Sequence, residues 1–188
     1  MPTTTGKHDN RIFIDDRLAY IKLKNYLIEH VPTTQSIVVL CIGTDRSTGD
    51  SLGPLVGTNL QEKRMQHIKV LGTLERPVHA MNLHEAILSI EKMSPSPFIV
   101  AIDASLGSLK NVGSVECGLG GLLPGAALKK KISPVGDIYI KGYVNVGGFL
   151  EHSVLQSTKL YDVMQLAQVI SRGVYLFELH LRKNISKT

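Results

Sequence analysis

Two aspartates stand where an α/β chain places its chemistry. Asp50 closes a polar loop, Thr44 to Asp50, that follows the apolar run Ile37 to Ile42 and opens a helical stretch. Asp103 ends a second apolar run, Phe98 to Ile102. In an open parallel sheet, ligands sit outside the carboxyl ends of the strands. Both carboxylates are therefore expected at one edge, on strands that are neighbours in the usual order. A close carboxylate pair can share one proton, one member acting as base toward water and the other as acid toward a peptide group. The same pair could instead hold a divalent cation. Each aspartate also has a plainer reading. Asp50 suits a helix N-cap, which Pro54 early in the helix supports, and Asp103 suits a turn after a strand.

Other residues fall at the same edge by topology. Gly43, Thr44 and Asp45 leave the first strand, His79 lies in the turn after the second, and Ser105 follows the third. These five are candidate substrate-binding residues. His84 lies within a helix and reads as surface or packing, and His152 stands in no recognisable ligand spacing. Gly49-Asp-Ser-Leu-Gly53 fits G-x-S-x-G and makes Ser51 a candidate esterase nucleophile. The strand ends near Gly43, however, well before the serine, and no Asp-x-x-His follows late in the chain, so the serine lacks a base. Gly118-Leu-Gly-Gly121 lacks the spacing of a phosphate loop and reads as a flexible loop.

The elements that must position these residues follow from periodicity. Arg17–His30, Ser51–Arg64, Met81–Lys92 and Tyr161–Leu181 carry apolar residues at helical spacing, with Gly173 a candidate kink in the last. Ser36–Gly43, Ile68–Leu74 and Pro97–Ala104 read as buried strands. Gly113–Cys117 and Asp137–Asn145 add two more, and Ser94–Pro97 is a turn. Strand-helix alternation predicts a parallel sheet with helices on both faces. The expectation is one α/β domain over residues 1–188, with frayed tails at 1–10 and 183–188.

Composition narrows the function classes. The chain has 188 residues, 43% hydrophobic and 20% charged, which supports a packed core and argues against disorder. The net charge of +5 is modest. The run Lys129-Lys130-Lys131, with Lys141 nearby, reads as solvated surface, and without stacking aromatics it predicts no nucleic-acid partner. Cys41 and Cys117 read as reduced thiols rather than a disulfide framework. No apolar run is long enough to span a bilayer. A soluble cytoplasmic protein is expected, with no membrane partner and with a homo-oligomer left open.

The two acidic segments resemble a known superfamily. Cys41-Ile-Gly-Thr-Asp45 through Gly49-Asp-Ser-Leu-Gly-Pro54 resembles the segment of spore germination proteases where a strand ends in Ile-Gly and a loop leads into Asp-x-Leu-Gly-Pro. Ile102-Asp103-Ala104 resembles their second motif. Hydrogenase maturation endopeptidases show related motifs, and the chain also resembles a small sporulation protein of the same superfamily. The resemblance spans about residues 36 to 170. It implies a three-layer α/β/α fold around a twisted, mostly parallel sheet. It implies that Asp50 and Asp103 match the acidic residues considered catalytic in the germination protease. It further implies an endopeptidase acting on a protein or peptide, such as small acid-soluble spore proteins, in the forespore or mother cell of a spore-forming bacterium. A non-catalytic, peptide-binding relative is the alternative. In the maturation endopeptidases an acidic pair and a histidine bind the metal of the precursor. Here Lys131-Ile-Ser-Pro134 is followed by Val135 where that histidine would stand, so no cofactor is expected beyond a divalent cation between Asp50 and Asp103.

Overall fold

The computed structural model of the chain describes residues 11–93, 97–124 and 133–185. Its strands are β1 (Arg11–Phe13), β2 (Ile37–Cys41), β3 (Ile68–Leu71), β4 (Phe98–Gly107), β5 (Ser114–Leu119) and β6 (Ile138–Val146). Its helices are α1 (Ala19–His30), α2 (Leu52–Glu62), α3 (Leu83–Glu91), α4 (Glu151–Gln156) and α5 (Leu160–Ile185). The strands form one six-stranded sheet in the order β1-β5-β6-β4-β2-β3. β3, β2, β4 and β6 are mutually parallel, while β5 runs antiparallel to β6 and to β1.

Burial explains this arrangement. All five residues of β2 are buried, as a strand covered on both faces requires. On one face Val39, Ile102 and Ile140 pack under α1, α2 and α5 through Leu23, Val56, Ile170 and Phe177. On the other, Val38, Leu40 and Ala101 pack with Leu83 and Ile90 of α3 and with Leu122 and Val135. β6 alternates, with Ile138, Ile140, Gly142 and Val144 buried and Tyr139, Lys141 and Tyr143 half-buried. Its second face is therefore only partly covered.

The long helix α5 also fastens the far end of the sheet. Glu178 is fully buried, and its carboxylate accepts the N–H groups of Gln66 (2.9 Å) and His67 (3.2 Å) and the Arg182 Nε (2.9 Å). Arg182 also donates to the Arg64 carbonyl at 3.0 Å. A buried charge needs such pairing, and breaking a pair of this kind costs about 3–5 kcal/mol.

Several expectations shift. β1 and α4 were not foreseen. β3 ends at Leu71 because Gly72 turns the chain with φ +86°. β4 continues three residues past Ala104, with a register shift between Ser105 and Leu106. α5 runs unbroken through Gly173, where a Cβ would press into Leu23 at 2.8 Å, so this glycine serves close helix packing rather than a kink. The same helix carries residues 183–185 as its last turn, in place of a frayed tail. Gly118 belongs to β5, where the Tyr139 ring lies against it, and not to a flexible loop. The lysine run 129–131, the turn residues 94–96 and the tails 1–10 and 186–188 lie outside the described residues.

Candidate functional site at the carboxyl edge of the sheet

The edge is organised by backbone. The Gly43 N–H donates to the Val78 carbonyl (2.8 Å) and the Thr44 N–H to the Asp50 carbonyl (3.1 Å), so the loop folds back onto the end of β2. Gly43 has φ +147°, and a Cβ there would fall on the Asp50 carbonyl oxygen. A Cβ on Gly53 would likewise fall on the Ile42 carbonyl oxygen. Only glycine permits these approaches. The Ile-Gly and Asp-Ser-Leu-Gly-Pro pattern is thus a packing requirement that seats a 3₁₀ turn, Gly49–Ser51, and the start of α2 directly on β2.

Asp50 sits within that turn, half-buried. Among the described residues no backbone N–H bonds to its carboxyl, and neither Thr48 nor Ser51 makes a side-chain cap. The N-cap reading is therefore not met. Burial pushes the Asp50 carboxyl above its ordinary pKa, opposed by the neighbouring Ser47 hydroxyl and by the charge of His152. The Ser47 Oγ is itself buried, at 5% exposure, and has no well-formed hydrogen bond. It lies close enough to favour the charged carboxyl but is not aligned to satisfy itself. Such an orphaned hydroxyl costs on the order of 1–3 kcal/mol, and any oxygen arriving beside Asp50 could complete it.

Asp103 lies across the ladder. Cys41 pairs with Ile102, and the Ile42 N–H donates to the Ile102 carbonyl at 2.7 Å, which sets Asp103 beside the Ile42–Gly43 peptide. Asp103 is 8% exposed, and its Oδ1 accepts the Ala104 N–H at 2.9 Å. Its register partner on β6 is Lys141. The two aspartates therefore flank Gly43, one through its own carbonyl and one through the sheet.

The remaining candidates divide. Val78 bridges to Ile42, so His79 stands at this edge. Its N–H donates to Asn82 Oδ1 (2.8 Å) and its Nδ1 accepts the Met81 N–H (3.3 Å), which leaves Nε2 for other partners. The Thr44 Oγ1 accepts the Arg46 N–H at 3.3 Å, and Asp45 is exposed. Ser105 is half-buried, two residues beyond Asp103 on β4, and donates to the Leu106 carbonyl at 3.3 Å. His84 is exposed on α3. Ser51 is buried and its hydroxyl donates to the Thr48 carbonyl at 2.6 Å, which ties up the proton an esterase base would need to take.

Sequence reasoning missed two members of this edge. Ser47 gave no signal within a polar loop. His152 offered one, since it follows the carboxyl end of β6 by only a few residues, and the same topological rule applies to that strand. The donor set does not fit a metal. Among the described residues no group of three or more histidine, cysteine, aspartate or glutamate side chains comes together in a way that could hold one. Val135, where a histidine ligand would stand, is 5% exposed and part of the core under α3.

Together these elements define an α/β protein whose mostly parallel six-stranded sheet brings the main chain of Asp50 and Asp103 to one edge. The chain belongs to the family described as "Protein of unknown function (DUF1256)", which matches residues 11–173. It is 52% identical over 140 residues to "Uncharacterized protein YyaC" of Bacillus subtilis (strain 168), covering 74% of this chain and 68% of that one. Among solved structures, the [NiFe] hydrogenase maturation protease HycI from Thermococcus kodakarensis KOD1 superposes with a TM-score of 0.50 at 18% identity, over 79% of this chain and 99% of that one. The maturation protease HybD from Thermococcus kodakarensis gives a TM-score of 0.43 at 14% identity, over 74% and 97%. The fold implied by the acidic motifs is the one observed. Among the described residues no helix is long and apolar enough to cross a membrane.

Proposed function

We propose that this chain is an endopeptidase of the sporulation or germination programme, hydrolysing a protein or peptide with Asp50 and Asp103. The observation that carries this reading is that the main chain brings Asp50 and Asp103 to the same end of β2, around Gly43, with the Asp50 side chain half-buried, short of donors and raised in pKa. A carboxyl raised above its ordinary pKa is suited to donate a proton. Asp50 keeps its proton to higher pH and is the acid. Asp103 is the base: it takes a proton from water, the resulting hydroxide attacks the peptide carbonyl, and Asp50 delivers its proton to the departing amide nitrogen. The Ser47 hydroxyl beside Asp50 and the Nε2 of His79 are available to orient water and the peptide group. The compartment we assign is the cytoplasm of the forespore or mother cell. The first substrates to try are small acid-soluble spore proteins.

A specific observation favours a second reading. Val135 has become core where the related endopeptidases carry a metal-binding histidine, which suits a relative that binds peptides without cutting them. One digestion separates the two. The purified chain, Asp50→Asn and Asp103→Asn are incubated with spore proteins, and masses are followed across pH. Discrete fragments made only by the unsubstituted chain support the peptidase. Peptide binding with no cleavage, equal in all three, supports the binding module.

A further inference from the structure

β3 stands at the edge of the sheet and, among the described residues, pairs with β2 alone. A strand bonds each neighbour through alternate residues, so every second residue of Ile68–Leu71 turns its N–H and C=O away from β2. On that side β3 lines a groove of about 850 Å³, a size common among ligand sites. The end of α2 and the turn beyond it contribute Gln61, Arg64 and Met65, and the segment from Gly72 to Asn82 supplies the rest. That segment is fixed by main chain. Gly72, at φ +86°, turns the chain out of the sheet, and a Cβ there would fall on the Cys41 carbonyl oxygen. The Thr73 N–H donates to the Arg76 carbonyl (3.1 Å), the Arg76 N–H donates back to Thr73 Oγ1 (3.1 Å), and the Leu74 N–H donates to Thr58 Oγ1 on α2 (2.9 Å). The chain returns at Val78 to bridge Ile42, in line with β3. Three exposed cations line the groove, Arg64, Lys69 and Arg76, against the carboxylate of Glu75. Glu75 meets Arg76 at 3.8 Å with both side chains largely in solvent, which neutralises little. Arg64 is held at φ +49°, a costly conformation for a residue with a side chain, and Arg182 donates to its carbonyl at 3.0 Å. His79 belongs both to this groove and to the edge that carries Asp50 and Asp103.

We propose that β3 is the docking edge for the substrate, an extended peptide segment with acidic side chains that joins the six-stranded sheet as a further strand. The inference deepens the peptidase reading and rests on it for what happens to the peptide once docked. Main-chain bonds to β3 hold an extended segment whatever its sequence, and Arg64, Lys69 and Arg76 select an acidic one. From β3 the peptide passes His79 to reach the turn around Gly43. A lysine on an edge strand also guards against pairing between sheets, and here the guard and the docking agree. A second copy of this chain laid antiparallel on β3 would bring like charges together along the groove, whereas an acidic strand meets the same cations with opposite charge.

The test reads docking apart from cleavage. The full chain is labelled with ¹⁵N and titrated with a short peptide of alternating glutamate and valine, with its lysine counterpart, and with the glutamate peptide N-methylated along its main chain. The expected result is binding of the unmethylated glutamate peptide alone, with shifts at the amides of Ile68–Leu71 and His79. The double variant Lys69→Glu, Arg76→Glu should weaken this binding roughly tenfold. The double variant Lys92→Glu, Lys110→Glu, with the same charge change outside the groove, should not. All four residues are exposed, so both variants should fold, and circular dichroism checks this. Equal binding of the lysine peptide, full binding of the methylated one, shifts confined to other elements, or no binding at millimolar peptide overturns the proposal. So does a chain that sediments as a dimer paired through β3. Where spore proteins are cut, KM should rise in Lys69→Glu, Arg76→Glu with kcat unchanged, and an unchanged KM overturns the docking edge without touching the peptidase reading. A chain that docks the glutamate peptide on β3 and cuts nothing supports the docking edge and counts against the peptidase reading alone.

Discussion

Glu116 on β5 and Asp50 in the turn beyond β2 are both partly buried acids, and their surroundings push them in opposite directions. Burial alone would raise Glu116. It is outweighed by Tyr143 (2.8 Å) and Tyr139 (3.1 Å), whose phenols donate to the carboxylate, by Arg11 (2.8 Å) and by Lys141, so the group ends below its usual pKa. The phenols are displaced in turn, Tyr143 up to about 12, by burial and by donation to Glu116. Asp50 has burial without that company and ends above its usual value. The contrast separates structure from chemistry. Glu116 knits β1, β5 and β6 together with partners from distant parts of the chain, while Asp50 is held by its main chain and its side chain is left short of donors.

The sharpest way to break the comparison is Asp50→Asn. Activity should fall by roughly 10²–10⁴-fold, measured by fragment yield, while the far-ultraviolet dichroism is unchanged. Stability should move the other way. A carboxyl whose folded pKa is raised favours the folded state below its unfolded pKa, and that advantage is lost as pH rises through the folded value. The variant should therefore melt above the unsubstituted chain at pH 7, and the gap should close as the pH falls below the unfolded pKa. A variant that melts lower at pH 7 would mean that Asp50 is as well satisfied as Glu116.

Gly43→Ala attacks the main-chain support of Asp50. The added methyl meets the Asp50 carbonyl at a φ that disfavours side chains, and a loss of about 2–3 kcal/mol in urea unfolding is expected. Glu116→Gln should cost roughly 1–2 kcal/mol at pH 7 and leave cleavage intact. Its pH signature is opposite to that of Asp50. A depressed carboxyl contributes stability above its unfolded pKa, and this is lost as pH falls through the folded value. The penalty of Glu116→Gln should thus shrink on acidification. Tyr143→Phe, the smallest change, should cost about 0.5–1.5 kcal/mol, read as a lower melting temperature with unaltered activity.

What could be seen in advance follows the same division. The stretch from β2 through β4 announces itself because each element is local, as buried apolar runs alternate with amphipathic helices and glycine marks the close approaches. Asp50 inherits that legibility, since a position just past a strand can be read from the strand, whereas Asp103 lies where β4 outruns β2, four residues before its own end. Glu116 was invisible because its partner Arg11 lies 105 residues away in sequence and β1 has only three residues, so its existence depends on pairing with β5. α4 was missed for a related reason. It is short, has no side-chain cap, and follows a leucine in a backbone region that leucine rarely visits. Ser47 and His152 acquire meaning only when that helix closes over the turn.

The bonds Gly43 N–H to Val78 and Thr44 N–H to Asp50 carry a consequence for motion. They tie the 3₁₀ turn and the Val78 segment to the end of β2, a strand buried along its whole length. The amides of Gly43 and Thr44 should then exchange with solvent as slowly as those of Leu40 and Ile102, opening only with the whole molecule. The Asp50 side of the edge should behave as part of the global unfolding unit, so that denaturant removes site and core in a single transition.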